Sequence, residues 1–191
     1  MKIEKKNNII TAAQSLFARF GLKKTTVDEI AKFARVGKGT IYKFFRSKEE
    51  VFSEVVDREI EFLKLKILEA IDKETQPEQK IRAFMLAKIN YLKVLANLYH
   101  ITQKDASEHW PEIEEARQKM TEQDRNIIKR ILDEGVKLGV FVIKNTALTA
   151  MAIAVAFKGF EIPWMLSGKK YEVEKNVNLL LGILFNGIKA R

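Results

Sequence analysis

The chain has 191 residues, 47% of them hydrophobic and 31% charged, with a net charge of +9 and no cysteine. That suits one large domain, or a small one fused to a larger, and it excludes disulfides and thiolate metal sites. The charge is unevenly placed: residues 1–48 carry 12 lysines and arginines against three acids, whereas residues 49–191 carry 22 of each. A polyanion is the natural partner of the first quarter. Met1–Lys6 has no apolar stretch after its charges to serve as a secretory leader, so a cytoplasmic location is expected.

Only nine glycines and three prolines occur, and apolar residues recur at spacings of three and four, so the chain reads as all-helical. The first helix is expected over Glu4–Phe20, burying Ile9, Ile10, Ala13, Leu16, Phe17 and Phe20 and stopping at Gly21. Thr26 with Glu29 makes a capping box for a second helix, whose buried face is Val27, Ile30, Ala31 and Ala34. Val36–Gly37 reads as the turn, and Lys38–Phe45 as a basic third helix with Ile41 and Phe45 in the core together with Val36 and Ile30. This capped helix, turn and basic helix have the shape of a helix-turn-helix, whose second helix lies in the DNA major groove.

Ser47 with Glu50 caps a fourth helix that runs to Ile71 or Lys73, and Thr75–Glu78 caps a fifth over Pro77–Leu98. Residues 99–108 are ambiguous. Further helices are expected over Pro111–Leu138 with a stop at Gly139, from an Asn145 cap to Leu166, and over Tyr171–Lys189. The apolar run 147–166 is interrupted by Lys158, Glu161 and Pro163, so it reads as a buried helix and no membrane partner is expected.

Residues 10–51 resemble the tetracycline-repressor (TetR) family of bacterial regulators. The likeness lies in Ala12-Ala13-x-x-Leu16-Phe17, Phe20-Gly21, Thr25-Thr26-Val27-x-x-Ile30-Ala31, Ala34-x-Val36-x-Lys38-Gly39-Thr40-Ile41-Tyr42-x-x-Phe45 and Ser47-Lys48-Glu49-x-Val51. One departure is Gly37-Lys38, where relatives commonly carry Ser-Lys or Ser-Pro; it removes a cap from the third helix. The resemblance implies a helix-turn-helix DNA-binding domain over residues 1–48 and a larger helical ligand-binding and dimerisation domain over residues 49–191.

It also implies DNA contacts at Thr26, Lys38, Gly39, Thr40, Tyr42, Lys43, Phe44 and Lys48. The chemistry fits: the Tyr42 phenol can donate to a phosphate, Lys43 to guanine N7 and O6, and the Thr40 hydroxyl to either. Phe44 can touch a thymine methyl or cover its helix. Lys38 and Lys48 are expected to clamp phosphates, Lys48 with help from the dipole of the fourth helix.

The remaining residues suit two jobs. Dimerisation through the last two helices is expected from Ala150, Ala154 and Gly159 on one and from Val177, Leu180, Leu181, Leu184 and Phe185 on the other, as a four-helix bundle across a two-fold axis. Sensing of a small apolar or aromatic effector is expected in a cavity lined by Phe84, Lys88, Tyr91, Tyr99, His100, Trp110, Met120, Phe157 and Trp164, the list from which the core also draws. His100 and His109 lack a metal-ligand motif, and neither a metal nor another cofactor is expected. No nucleophile or phosphate-loop motif points to an enzyme. The sequence therefore reads as a homodimeric, ligand-responsive regulator, most simply a repressor, of a palindromic double-stranded operator. The alternatives are an architectural DNA-binding protein without a ligand and a carrier of apolar ligands.

Overall fold

The computed structural model describes residues 2–95, 97, 111–166 and 170–188, and among them every extended element is an α-helix. In chain order these are α1 (Lys2–Lys24), α2 (Val27–Phe33), α3 (Lys38–Tyr42), α4 (Lys48–Ile71), α5 (Pro77–Leu92), α6 (Pro111–Lys137), α7 (Thr146–Leu166) and α8 (Lys170–Ile188). They group into two compact units, Met1–Glu61 with Leu95–Arg117 and Phe62–Val94 with Gln118–Arg191, so that the chain passes between units inside α4, after Val94 and inside α6.

In the first unit, Ile9, Ala13 and Phe17 stand one turn apart on α1 and are buried. Phe17 meets Phe52 of α4 edge to face, with centroids 5.2 Å apart. Phe20, expected in that core, is 46% exposed and Leu16 is half-buried. The reason is Gly21, whose φ of 77° and ψ of 166° break the helical path directly after Phe20. The chain past the break turns Leu22 inward instead, and the Phe20 ring lies against the Arg19 guanidinium at 5.1 Å. A buried polar contact completes this unit: the Glu59 carboxylate accepts from Gln14 Nε2 at 2.9 Å and from Asn97 Nδ2 at 2.7 Å.

In the second unit, Ile81, Phe84, Met85, Ile89 and Leu92 of α5 pack into a core with Ile128 and Leu132 of α6, Ala150 and Phe157 of α7 and Val177 of α8. α5 stops at Leu92, six residues before its expected end, because the Val94 N–H bonds back to Tyr91 O three residues away and tightens the last turn. Its N-cap is Gln76, which makes no side-chain cap bond, so the cap expected from Thr75–Glu78 reduces to Pro77 in the first turn. Asn145 caps α7 as expected, its Oδ1 accepting from the Leu148 N–H at 3.0 Å.

α6 ends in a Schellman motif: Gly139 takes φ 71° and the Val140 N–H bonds to Gly135 O at 2.9 Å. Gly135 itself is required by packing, since a Cβ there would sit 2.2 Å from the Phe141 ring. That ring stacks on Phe185 of α8 with centroids 5.7 Å apart. Among the described residues no helix is long and apolar enough to cross a membrane, and no cluster of His, Asp and Glu could hold a metal ion. His100, His109 and the ambiguous stretch 99–108 lie outside the described residues.

Candidate nucleic-acid interface

α2 is short and depends on its ends. The Thr26 N–H donates to Glu29 Oε2 at 2.8 Å, the Thr26 hydroxyl donates to the same oxygen at 2.8 Å, and the Glu29 N–H returns a bond to Thr26 Oγ1 at 3.3 Å. These bonds, the backbone one first, hold the Glu29 carboxyl below its usual range. The hydroxyl of Thr26, expected at DNA, is thus committed to the cap. Beside it, the buried Thr25 hydroxyl donates to Gly21 O at 2.9 Å and pins the end of α1 to the start of α2.

The far end of α2 departs from expectation. The turn depends on Arg35 and not on Gly37: Arg35 takes φ 55°, while Gly37 is extended at φ −72° and ψ 146°. The Val36 N–H bonds to Ala31 O at 3.0 Å and the Arg35 N–H to Lys32 O at 3.2 Å, a Schellman motif with arginine in the left-handed place. Glycine usually takes that place because it has no Cβ to clash with the following carbonyl. Val36, expected in the core, is only half-buried, since it lies in the turn past the last residue of α2.

α3 follows. Gly37 is its N-cap and makes no side-chain cap bond, as the Gly37-Lys38 departure implies. One side of α3 is anchored by Ile41, 1% exposed, and by Phe45 just beyond the helix, 2% exposed. With those residues facing inward, the helical period turns Lys38, Gly39, Tyr42 and Lys43 to the surface and leaves Thr40 and Phe44 half-buried. Phe44 leans on Phe45 with centroids 6.4 Å apart, which suits cover for the helix. A Cβ at Gly39 would meet nothing within 4 Å, so the chain itself does not require glycine there. Among the described residues, Lys43 and Lys48 have no ion-pair partner.

Lys38 does have one. Its Nζ donates to Asp28 Oδ2 of α2 at 2.8 Å, and that hydrogen bond, with the charge of Asp28, holds the ammonium above its ordinary range. Composition counted Asp28 only as one of three acids, and nothing in a ten-residue separation signals the pairing. Lys48 opens α4, where the Glu50 N–H donates to Ser47 Oγ at 3.2 Å. The Glu50 carboxylate accepts from the Arg46 N–H and not from that of Ser47, a variant of the expected capping box.

Of the residues expected to line an effector cavity, three come together in the second unit. Phe84 and Phe157 lie with centroids 6.0 Å apart, and the Lys88 ammonium stands 6.0 Å from the Phe157 ring. Lys88 is 3% exposed and forms an ion pair with Asp124 of α6, a residue that sequence reasoning missed. Met120 is buried one turn before Asp124. Tyr91 packs edge-on to Phe62 instead, at 6.4 Å. Tyr99, His100 and Trp110 lie outside the described residues, as does the side chain of Trp164.

The residues expected at a subunit contact divide. Ala150, Ala154, Val177 and Leu181 are buried within this chain and so are not available to a second one. Gly159 is exposed, and Leu180, Leu184 and Phe185 are half-buried. Among the described residues, the large apolar side chains that α7 and α8 expose are others: Leu148, Met151, Val155 and Phe160 on α7, and Leu179 and Ile183 on α8.

Residues 9–55 match the family model described as bacterial regulatory proteins, tetR family. The chain is 30% identical over 190 residues to the HTH-type transcriptional regulator YhgD of Bacillus subtilis, covering all of both chains. It is 26% identical over 183 residues to the fatty acid metabolism regulator protein of the same organism, covering 94% of this chain and 93% of that one. Among solved structures, the transcriptional regulator FadR from Bacillus subtilis in complex with stearoyl-CoA superposes with a TM-score of 0.74 at 24% identity, covering 95% of this chain and 98% of that one.

Proposed function

Because the chain belongs to the tetR family of bacterial regulatory proteins, and is thus a DNA-binding transcriptional regulator, we propose that it is a ligand-responsive repressor that binds a palindromic operator as a homodimer in the cytoplasm. DNA binding is assigned to residues 1–48, and ligand binding and dimerisation to residues 49–191. The observation that carries the reading is the exposed row Lys38, Gly39, Tyr42 and Lys43, held in register by the buried Ile41 and Phe45. In this reading Lys43 donates to base edges and Tyr42 and Lys48 to phosphates, so α3 with its C-cap supplies sequence readout and the start of α4 adds to positioning.

A five-residue recognition helix reads few base pairs, and a two-fold dimer doubles the site. The surface that fits a second copy is the apolar stripe Leu148, Met151 and Val155 of α7 with Leu179 and Ile183 of α8. Burying each such side chain is favourable by about 1.5–3 kcal/mol. Gly159 and Gly182 are exposed beside these stripes, and a Cβ at either would meet nothing within the chain, so both leave room for close approach of helices. Val155→Glu or Ile183→Glu is expected to give a folded monomer by sedimentation, and an unchanged dimer would move the interface elsewhere.

The effector is assigned as a long-chain acyl compound. Support comes from the likeness to a fatty acid metabolism regulator and from the Phe84, Phe157 and Lys88–Asp124 group, buried aromatic rings beside an ion pair. Such a ligand shifts the protein between DNA-binding and non-binding states only by its difference in affinity for the two. Stearoyl-CoA is the probe to use: it is expected to release operator DNA and to raise the melting temperature of the free protein. If it does neither, the acyl effector is wrong.

A further inference from the structure

The recognition surface carries an acid that DNA binding alone does not ask for. Of the three acids in residues 1–48, Glu29 is committed to the α2 cap, and Asp28 stands beside it holding Lys38, the first residue of α3. Both side chains of this pair are exposed, Lys38 by 51% and Asp28 by 69%. Lys38 and Tyr42 stand one turn apart on the same face, so the pair lies at the edge of the surface assigned to DNA. Asp28 sits in the first turn of α2, where the helix dipole favours an anion. Lys38 sits in the first turn of α3, where the dipole disfavours a cation and Gly37 supplies no side-chain cap. The carboxylate takes one of the three N–H donors of the Lys38 ammonium and draws it toward α2.

We propose that Asp28 is a specificity-determining residue that holds Lys38 away from DNA phosphates until α3 is seated on its operator. The inference rests on the regulator reading above. On random DNA no contact fixes a phosphate opposite Lys38, and Asp28, held by the same fold at all times, retains it. On the operator, base contacts from α3 fix the backbone in register, and a phosphate displaces the carboxylate. Lys38 then adds to specific binding without adding to non-specific binding, which consists almost wholly of such charge contacts.

The test is the salt dependence of wild type, Asp28→Asn, Lys38→Ala and the double variant, on a duplex carrying the stretch of its own upstream intergenic DNA that the wild type protects in a footprint and on a scrambled duplex of the same composition, between about 50 and 200 mM salt. Circular dichroism confirms folding, and Asp28→Ser serves as a second neutral replacement. Asp28→Asn is expected to tighten random-DNA binding several-fold and to steepen its slope by about 0.9, the contribution of one phosphate contact. The operator slope stays unchanged, the operator-to-random ratio falls, and the effect vanishes on the Lys38→Ala background. Equal steepening on both duplexes, no steepening on random DNA, or an effect that survives Lys38→Ala overturns the proposal. If the wild type does not distinguish the two duplexes, the regulator reading fails; the random-DNA slope and its dependence on Lys38 still decide whether Asp28 masks the lysine.

Discussion

Two lysine–aspartate pairs, Lys38–Asp28 and Lys88–Asp124, show how one chemistry serves opposite ends in the two units. The first joins α2 to α3 at the surface, with both side chains more than half exposed. The second joins α5 to α6 with Lys88 3% exposed and an aromatic ring over its ammonium. Water and salt screen the first, so it contributes little to folding and is available to exchange with another charge. The second has lost its water, so each charge depends on its surroundings for compensation. The difference teaches that burial, not the identity of the partners, decides whether an ion pair governs stability or binding.

The largest effect expected from this contrast is at Lys88. Lys88→Ala leaves the buried Asp124 charge without its lysine and is expected to destabilise the protein by about 3–5 kcal/mol, read as a drop in the denaturant midpoint. Replacing both residues, Lys88→Met with Asp124→Leu, is expected to recover most of that loss. A single variant within about 1 kcal/mol of wild type would break the comparison, since surface pairs contribute no more than that. Next is Gly135→Ala, which drives a methyl into the Phe141 ring and is expected to cost about 1–3 kcal/mol by the same measurement. Gly39→Ala is its counterpart on the exposed face of α3. It meets nothing in the chain and favours helix, so it should leave the fold as stable or slightly more so. Operator affinity is expected to drop about tenfold, or about 1.4 kcal/mol, if the α3 backbone approaches DNA there.

Smaller still are the two Schellman ends, which share bond pattern and handedness but differ in the residue that bears it. Arg35→Gly removes a Cβ from φ 55° and is expected to stabilise by about 1 kcal/mol, whereas Gly139→Ala adds one at φ 71° and should cost a similar amount. Thermal melting of the two variants in opposite directions checks both. The smallest effect is on folding by Asp28→Asn, whose melting temperature should match wild type even as its DNA binding changes. A large thermal loss there would make the surface pair structural.

Much of the first unit was legible because its signals are local. Thr26 with Glu29 and Ile41 with Phe45 act over three or four residues, and a single chain displays them. The turn expected at Val36–Gly37 falls earlier in the chain, because the residue that bears the positive φ is Arg35, and an arginine gives no local signal of a turn. In α7 the difficulty is different. It is apolar on nearly every side, so period alone does not say which stripe faces inward. Ala150 and Ala154 read as sites for close approach to a second chain, yet they pack within this one, while Leu148 and Val155 remain in water. Asp124 and Asp28 were illegible for a third reason: each acquires its meaning only from a partner on another helix.

The central claim, that the exposed face of α3 reads an operator, is tested most directly by footprinting the purified protein on its own upstream intergenic DNA with random DNA as competitor at fixed salt. Protection of a palindrome is expected to survive the competitor and to be lost in the double variant Tyr42→Phe, Lys43→Ala while that variant stays folded. Binding that random DNA competes away equally, or protection unchanged in the double variant, would contradict it.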